Sequence, residues 1–386
     1  MTAALARYES ALHTLTAQNR LRTLSPRTGL DFSSNDYLGL AASPRLRIAL
    51  IEALIRGTAI GAGGSRLLRG NHPEHEELEA KAAAFFHAER TLFFSTGYAA
   101  NFALFATLPQ REDFVIIDEL IHASARDGLR AGRAASIEAK HNDVASFEDA
   151  IDSWRTAGGR GQIFIAVESL YSMDGDRAPL DDLMALAEQY DALLLIDEAH
   201  ATGVFGPDGR GLAAHIEGRD HLIVLHTCGK ALGCAGALLS LPRVLCNFLV
   251  NRCRPFIFST APSPLMAVAT LETLAILQEE PQRRATLASL VAFASHHASA
   301  HGLTVSGSQI LPVIIGDDQR AMQLASSLQQ RGFDVRGVRP PTVPKGTARL
   351  RISITLNVTE ADIAALFAEL ASVMNSSNLK LEPSAT

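Results

Sequence analysis

Apolar positions in this chain follow two rhythms. Over the first 25 residues Leu5, Tyr8, Leu12 and Leu15 recur at helical spacing, which predicts an amphipathic helix. From about residue 90 to 240, short apolar runs alternate with helical stretches. Thr91–Ser95, Phe114–Ile117, Ile163–Glu168, Leu193–Asp197, Leu222–His226 and Ala235–Ser240 read as strands. Several of them are apolar throughout, as expected for strands covered on both faces of a largely parallel sheet. Ser146–Ala157 and Leu180–Tyr190 read as helices in the intervals.

After about residue 280 the rhythm changes: a long helix, then Ile310–Ile315, a helix near Ala321–Arg331, Asp334–Val338, Ala348–Thr355 and a final helix. Thr359 and Asp362 are spaced to cap that last helix. The expected division is an N-terminal helix and arm over 1–50, associated with the small domain. A large domain then covers 51–280, a small α+β domain 281–375, and a polar, disordered tail 376–386.

Of 386 residues, 47% are hydrophobic and 20% charged, with a net charge of −6. This is an ordinary composition for a soluble protein large enough to bury a substantial core. It argues against an extended nucleic-acid footprint, although Arg20, Arg22 and Arg27 form a local basic patch. The cysteines, Cys228, Cys234, Cys246 and Cys253, include no C-x-x-C pair, so neither a zinc site nor a disulfide scaffold is expected. No apolar run approaches the roughly 18 residues that span a bilayer, and residues 1–10 lack a signal core. A cytoplasmic protein is the expectation.

Among five lysines, only Lys230 lies between two apolar segments, in His226-Thr227-Cys228-Gly229-Lys230-Ala231-Leu232-Gly233. A partly desolvated lysine at a strand end is suited to Schiff-base chemistry. The strand Leu193–Ile196 ends in Asp197-Glu198-Ala199-His200, which puts a carboxylate and an imidazole where α/β sheets bind ligands. The same motif resembles the acidic strand of a helicase-type ATPase. That chemistry also needs a G-x-x-x-x-G-K-[ST] loop, and the chain has none. Thr96-Gly97-Tyr98 opens a helix after a strand, a position suited to a phosphate. His122 and Ser172 each lie in a loop after another strand. His72 and His75 miss the H-E-x-x-H spacing and read as a solvated helix start. Taken singly these are common loop features. Together they offer an amine for an aldehyde, an anion for a ring nitrogen and N–H donors for a phosphate, which suits pyridoxal 5′-phosphate.

With these motifs in order, the chain resembles the fold-type-I pyridoxal-phosphate enzymes, specifically the α-oxoamine synthases. The resemblance runs from about Arg20 to the last helix. It includes Asn35-Asp36-Tyr37-Leu38-Gly39, Gly61-Ala62-Gly63-Gly64-Ser65-Arg66, Ser172-Met173-Asp174-Gly175-Asp176 and Arg339-Pro340-Pro341-Thr342-Val343-Pro344. It implies a large α/β domain with a mostly parallel seven-stranded sheet, a smaller α+β C-terminal domain, and a homodimer with a shared active site. Lys230 would carry the cofactor covalently and act as acid and base at Cα. Asp197 would pair with the ring nitrogen, His122 would stack on the ring, and His200 would contact its phenolic oxygen. Gly97, Tyr98, Ser172 and Thr227 would complete the cofactor site, joined by Ser259 and Thr260 across the dimer interface. Asn35 and His122 would lie near the reacting centre, Arg351 would hold the amino-acid carboxylate, and Arg22 and Thr342 would face the acyl substrate. Ala201 and Cys228 depart from the family pattern, and a methyl at 201 could crowd the backbone beside His200.

Within the family, Arg22 and the R-P-P-T-V-P stretch point to condensation of L-alanine with a pimeloyl thioester in biotin biosynthesis. The carrier is either coenzyme A or an acyl-carrier protein. Glycine C-acetyltransferase and 5-aminolevulinate synthase chemistry are the alternatives inside the family. A non-catalytic binding module on the same fold and the ATPase are the alternatives outside it.

Overall fold

Ile163–Glu168, Leu193–Asp197 and Leu222–Thr227 are apolar almost end to end, so each must be covered on both faces, and they occupy the middle of a seven-stranded sheet. The computed structural model describes residues 3–24 and 26–376. Numbered along the chain, the strands of this sheet are β1 (Arg90–Phe94), β2 (Phe114–Asp118), β3 (Ala135–Ala139), β4 (Ile163–Glu168), β5 (Leu193–Asp197), β6 (Leu222–Thr227) and β7 (Ala237–Leu241). Their spatial order is β1-β7-β6-β5-β4-β2-β3, and β7 alone runs against the others. The parallel strands therefore end along one rim, where Asp118, Glu168, Asp197 and Thr227 are terminal residues.

Successive residues of each strand feed opposite faces. Val115, Ile117, Phe164, Leu195 and Ile223 join one apolar cluster with Ala100, Leu104 and Phe105 of helix α1 (Gly97–Thr107). Ile116, Ile165, Leu194, Ile196 and Val224 join the other, with Phe147 and Ile151 of Val144–Thr156 and Leu183 and Met184 of Leu180–Gln189. This is the expected α/β architecture. Six of the seven strands match predicted runs to within two residues. The seventh, β3, escapes prediction because Ala-Ser-Ile-Glu-Ala is an exposed edge strand without an apolar run.

The chain divides into a larger unit, Asn35–Ser172 and Asp176–Thr286, and a smaller one, Met1–Ser34, Met173–Gly175 and Leu287–Thr386. The N-terminal segment counted with the smaller unit thus stops at Ser34 rather than at residue 50. In the smaller unit β8 (Ile310–Gly316), β9 (Arg336–Val338) and β10 (Ala348–Ser353) form an antiparallel sheet in the order β9-β10-β8. The last helix, Glu360–Ser376, is capped by the pair anticipated for it: Thr359 N donates to Asp362 Oδ2 (2.8 Å) and Asp362 N to Thr359 Oγ1 (3.3 Å). That helix includes Ser376, the first residue of the expected tail, while the rest of the tail lies outside the described residues. The first helix is shorter than predicted, Ala3–Ala17, and its apolar stripe of Leu5, Tyr8, Leu12 and Leu15 is exposed. Among the described residues, no helix is long and apolar enough to cross a membrane.

Candidate active site

The turn after β6 carries Lys230. Backbone bonds from Cys228 N to Gly236 O and from Cys234 N to Cys228 O, both 2.9 Å, fix its course. Lys230 is half-buried, and its Nζ stands 2.7 Å from His200 Nε2. His200 is buried, and its Nδ1 lies 2.7 Å from the hydroxyl of the fully buried Tyr37, which donates to Asn35 Oδ1 at 3.0 Å. One polarity satisfies every member. The ammonium donates to Nε2, Nδ1–H donates to Tyr37, and Tyr37 donates to Asn35. Four polar groups form a single relay.

Asp197, the last residue of β5, is held at both oxygens. Asn101 Nδ2 donates to Oδ2 at 2.7 Å and Ala199 N to Oδ1 at 2.9 Å. Asn101 also donates to Ser124 Oγ (3.0 Å), and Ser124 lies 2.7 Å from His122 Nδ1. His122 caps the helix Ala123–Ala131 and remains exposed. Desolvation by the protein around it holds its pKa below the usual histidine range, against the pull of Asp197 and with the push of Lys230. Glu168, paired in register with Asp197, is fully buried. Burial, reinforced by the Asp197 charge, pushes it up to about 8, so it holds a proton at neutral pH. Ser172 follows it, with its amide donating to Glu168 Oε2 at 3.2 Å.

Helix α1 begins at the same rim. Thr96 caps it by accepting from Ala99 N at 3.0 Å, which leaves the first turn directed outwards as an anion cradle. Gly97 is required there by close approach, because a Cβ would come 2.5 Å from Thr227 Oγ1. Tyr98 is exposed and donates to Asp127. The structure thus brings Lys230, His200 and Asn35 into one network, Asp197 and His122 into a second, and Gly97 and Thr227 into contact. Ser259 and Thr260 are exposed on a turn after Arg254–Ile257. Arg22, Thr342 and Arg351 belong to the smaller unit. There Arg22 and Thr342 are exposed, and Arg351 is buried and donates to Ser353 Oγ at 2.7 Å.

Tyr37, Asn101 and Ser124 were assigned no role from sequence. Asn101 had a usable signal, its position one helical turn after Gly97. Tyr37 had none, since its partner His200 lies 163 positions away. Ala201 is buried and outside the left-handed region, so its methyl is accommodated. Cys228 is buried, which pushes its thiol far above the usual range and makes it inert. Glu198 turns away from the rim and accepts from Leu212 N (3.1 Å) and Ala213 N (2.6 Å), a structural task that removes the acidic group an ATPase would use. His75 corrects another expectation. It is fully buried rather than solvated, with Nε2 2.8 Å from Pro262 O.

The sequence model of the family "Aminotransferase class I and II" matches residues 27–370. A putative 8-amino-7-oxononanoate synthase of Geobacillus kaustophilus is 41% identical over 338 residues, 86% of each chain. The 8-amino-7-oxononanoate synthase of Chromobacterium violaceum is 43% identical over 331 residues, 85% of each. Among solved structures, Sphingomonas wittichii serine palmitoyltransferase aligns with a TM-score of 0.88 at 26% identity, covering 97% of this chain and 98% of that one. The 8-amino-7-oxononanoate synthase of Francisella tularensis aligns with a TM-score of 0.77 at 28% identity, covering 91% and 99%.

Proposed function

Since the chain belongs to the class I and II aminotransferase family, we propose that it condenses L-alanine with a pimeloyl thioester. The products are 8-amino-7-oxononanoate, carbon dioxide and the free carrier thiol, a step of biotin biosynthesis. It acts as a pyridoxal-phosphate-dependent acyltransferase. The observation that carries this reading is the Lys230 amine, 2.7 Å from His200 on the rim that also holds the doubly bonded Asp197.

The residues present suit that cofactor. Gly97 lets the backbone of the helix start pack closely against Thr227, at an N-terminus that favours an anion. Asp197 keeps a fixed negative charge for a ring N–H, and His122 offers an exposed, neutral ring for stacking. Lys230, His122, Asp197 and His200, with Gly97, Tyr98, Ser172 and Thr227, would hold the cofactor. Ser259 and Thr260 would serve the neighbouring site in a homodimer. When bound, pyridoxal phosphate supplies an electrophilic aldehyde and a cationic ring able to delocalise an electron pair from Cα.

The chain's own residues do the rest. Lys230 takes the proton from the alanine Cα and later returns one, with His200 and Tyr37 relaying charge behind it. Arg351 receives the amino-acid carboxylate, while Arg22 and Thr342 receive the acyl chain, and Asn35 fixes the end of the relay. The relatives at about 40% identity bear the synthase name, whereas the palmitoyltransferase structures stand at 26%, which favours the pimeloyl substrate over longer acyl chains. Turnover of pimeloyl-coenzyme A and pimeloyl-acyl-carrier protein, each with alanine and with glycine, tests the reading. Thiol release with alanine on at least one pimeloyl carrier is the expected result. A higher kcat/KM for glycine with an acetyl or succinyl thioester overturns it.

A further inference from the structure

His141 lies two residues beyond β3 and has no part in the reaction as set out above, yet both of its ring nitrogens face carboxylates. Nδ1 is 2.9 Å from Asp118 Oδ1, and Nε2 is 2.7 Å from Asp176 Oδ2. A neutral imidazole carries one N–H, so bonding both acids requires the cation. Asp118 is fully buried at the end of β2, where it also accepts from Leu120 N (2.8 Å) and Asn142 N (2.9 Å). Asn142 Nδ2 adds a second hold on Asp176 Oδ2 at 2.7 Å.

Asp176 closes a short excursion of the chain. Tyr171 N donates to Asp176 O at 3.0 Å, and Leu170 bridges Arg177 in antiparallel fashion. The Tyr171 ring meets His141 edge-on at 4.4 Å. Ser172 sits just inside this pinch, its amide held by Glu168. The tip, Met173–Gly175, is counted with the smaller unit, in which Asp174 pairs with buried Arg349. Gly175 there has φ +72°, and a Cβ on it would come 2.5 Å from Ile310 O.

We propose that His141 is a positioning residue: bridging Asp118 and Asp176, it clasps the base of the 170–177 excursion and thereby fixes Ser172 at the catalytic rim. Burial works against the cation, but the bonds to the two carboxylates outweigh it and raise the ring to about 10. The other ionisable groups against it are the Tyr171 ring and Glu119, whose carboxylate accepts the His141 amide at 2.9 Å. The link from Ser172 to the cofactor rests on the function proposed above. The clasp itself does not.

The test uses the full-length protein. Nitrogen-15 NMR of labelled histidine should show one ring doubly protonated at pH 8, a signal that His141→Gln removes. Hydrogen exchange over 171–177 should rise about tenfold or more in His141→Gln and in Asp176→Asn, as for loss of one bond to a charged group. The double variant should be no worse than either single one, because one clasp is being opened. Pyridoxal phosphate should bind about tenfold more weakly to the variants, with an altered visible circular dichroism band. A His141 ring that is neutral at pH 7.5, unchanged exchange, or additive variants would overturn the proposal. Should His141→Gln fail to fold, Asp176→Asn and the parent's NMR signal decide. A parent that binds no cofactor defeats the functional reading and leaves the NMR and exchange results to judge the clasp.

Discussion

His122 and His141 follow neighbouring parallel strands on the same rim, yet they are prepared for opposite states. His122 has a hydroxyl, Ser124, for a close partner and only a distant pull from Asp197. Desolvation therefore prevails, and its ring stays neutral. His141 is partly buried and has a carboxylate at each nitrogen, and it becomes a cation. Position on the fold does not decide what a histidine does; the charge supplied by the next strand end does. The neutral ring suits stacking against a flat ligand, and the charged one suits holding loops together.

The contrast breaks most completely at Lys230. Lys230→Ala should lower turnover on the order of 100- to 10,000-fold, and retained activity above roughly a tenth contradicts the assigned role. Without the nearby ammonium, the pKa of His122 should rise, visible in an NMR titration. Borohydride treatment of the cofactor-loaded parent, followed by peptide mapping, should place the reduced tag on Lys230 alone.

Asp197→Asn attacks the same balance from the other side. The loss of α-hydrogen exchange in alanine should be on the order of 100-fold, the usual cost of deleting a preorganised electrostatic partner. The pKa of His122 should fall further, since Asp197 is what raises it. An exchange rate within about threefold of the parent would count against the ring-nitrogen role.

His141 sharpens the comparison through pH. Its folded pKa, about 10, lies above the unfolded value near 6.5, so its contribution to stability is complete below about 6.5 and is lost as pH rises through about 10. Denaturant titrations should show His141→Gln less stable by about 2 kcal/mol at pH 6, a figure discounted for the partly exposed ring, with the gap closing towards pH 10. Glu168 adds a slope of the same sign at lower pH: raised to about 8, it penalises the folded state increasingly as pH climbs from about 4.5 to 8. Tyr37→Phe should give the mildest effect, about a tenfold drop in kcat with KM little changed, because it removes one internal hydrogen bond behind Lys230.

Much of this was legible in the residues. Buried parallel strands announce themselves as continuous apolar runs, which is why β4 and β5 were read to the residue, and why the strand-end acid and the lysine between two apolar segments stood out. What escaped has a common physical origin. The partners of Tyr37 and His141 are brought close only by folding, since His141 and Asp176 are 35 positions apart and Tyr37 and His200 are 163 apart. His75 looked solvated because its neighbours are polar, whereas Phe93 of β1 and the loop at Pro262 cover it.

The rim has an end as well as a centre. Among the described residues β3 pairs only with β2, and four of its five residues are exposed, so its outer backbone groups form a template on which a foreign strand could add. Its shortness and the paired charges of Glu138 and Arg126 guard it against such growth. An apolar replacement of Glu138 should leave catalysis intact and instead cost the protein its solubility at high concentration.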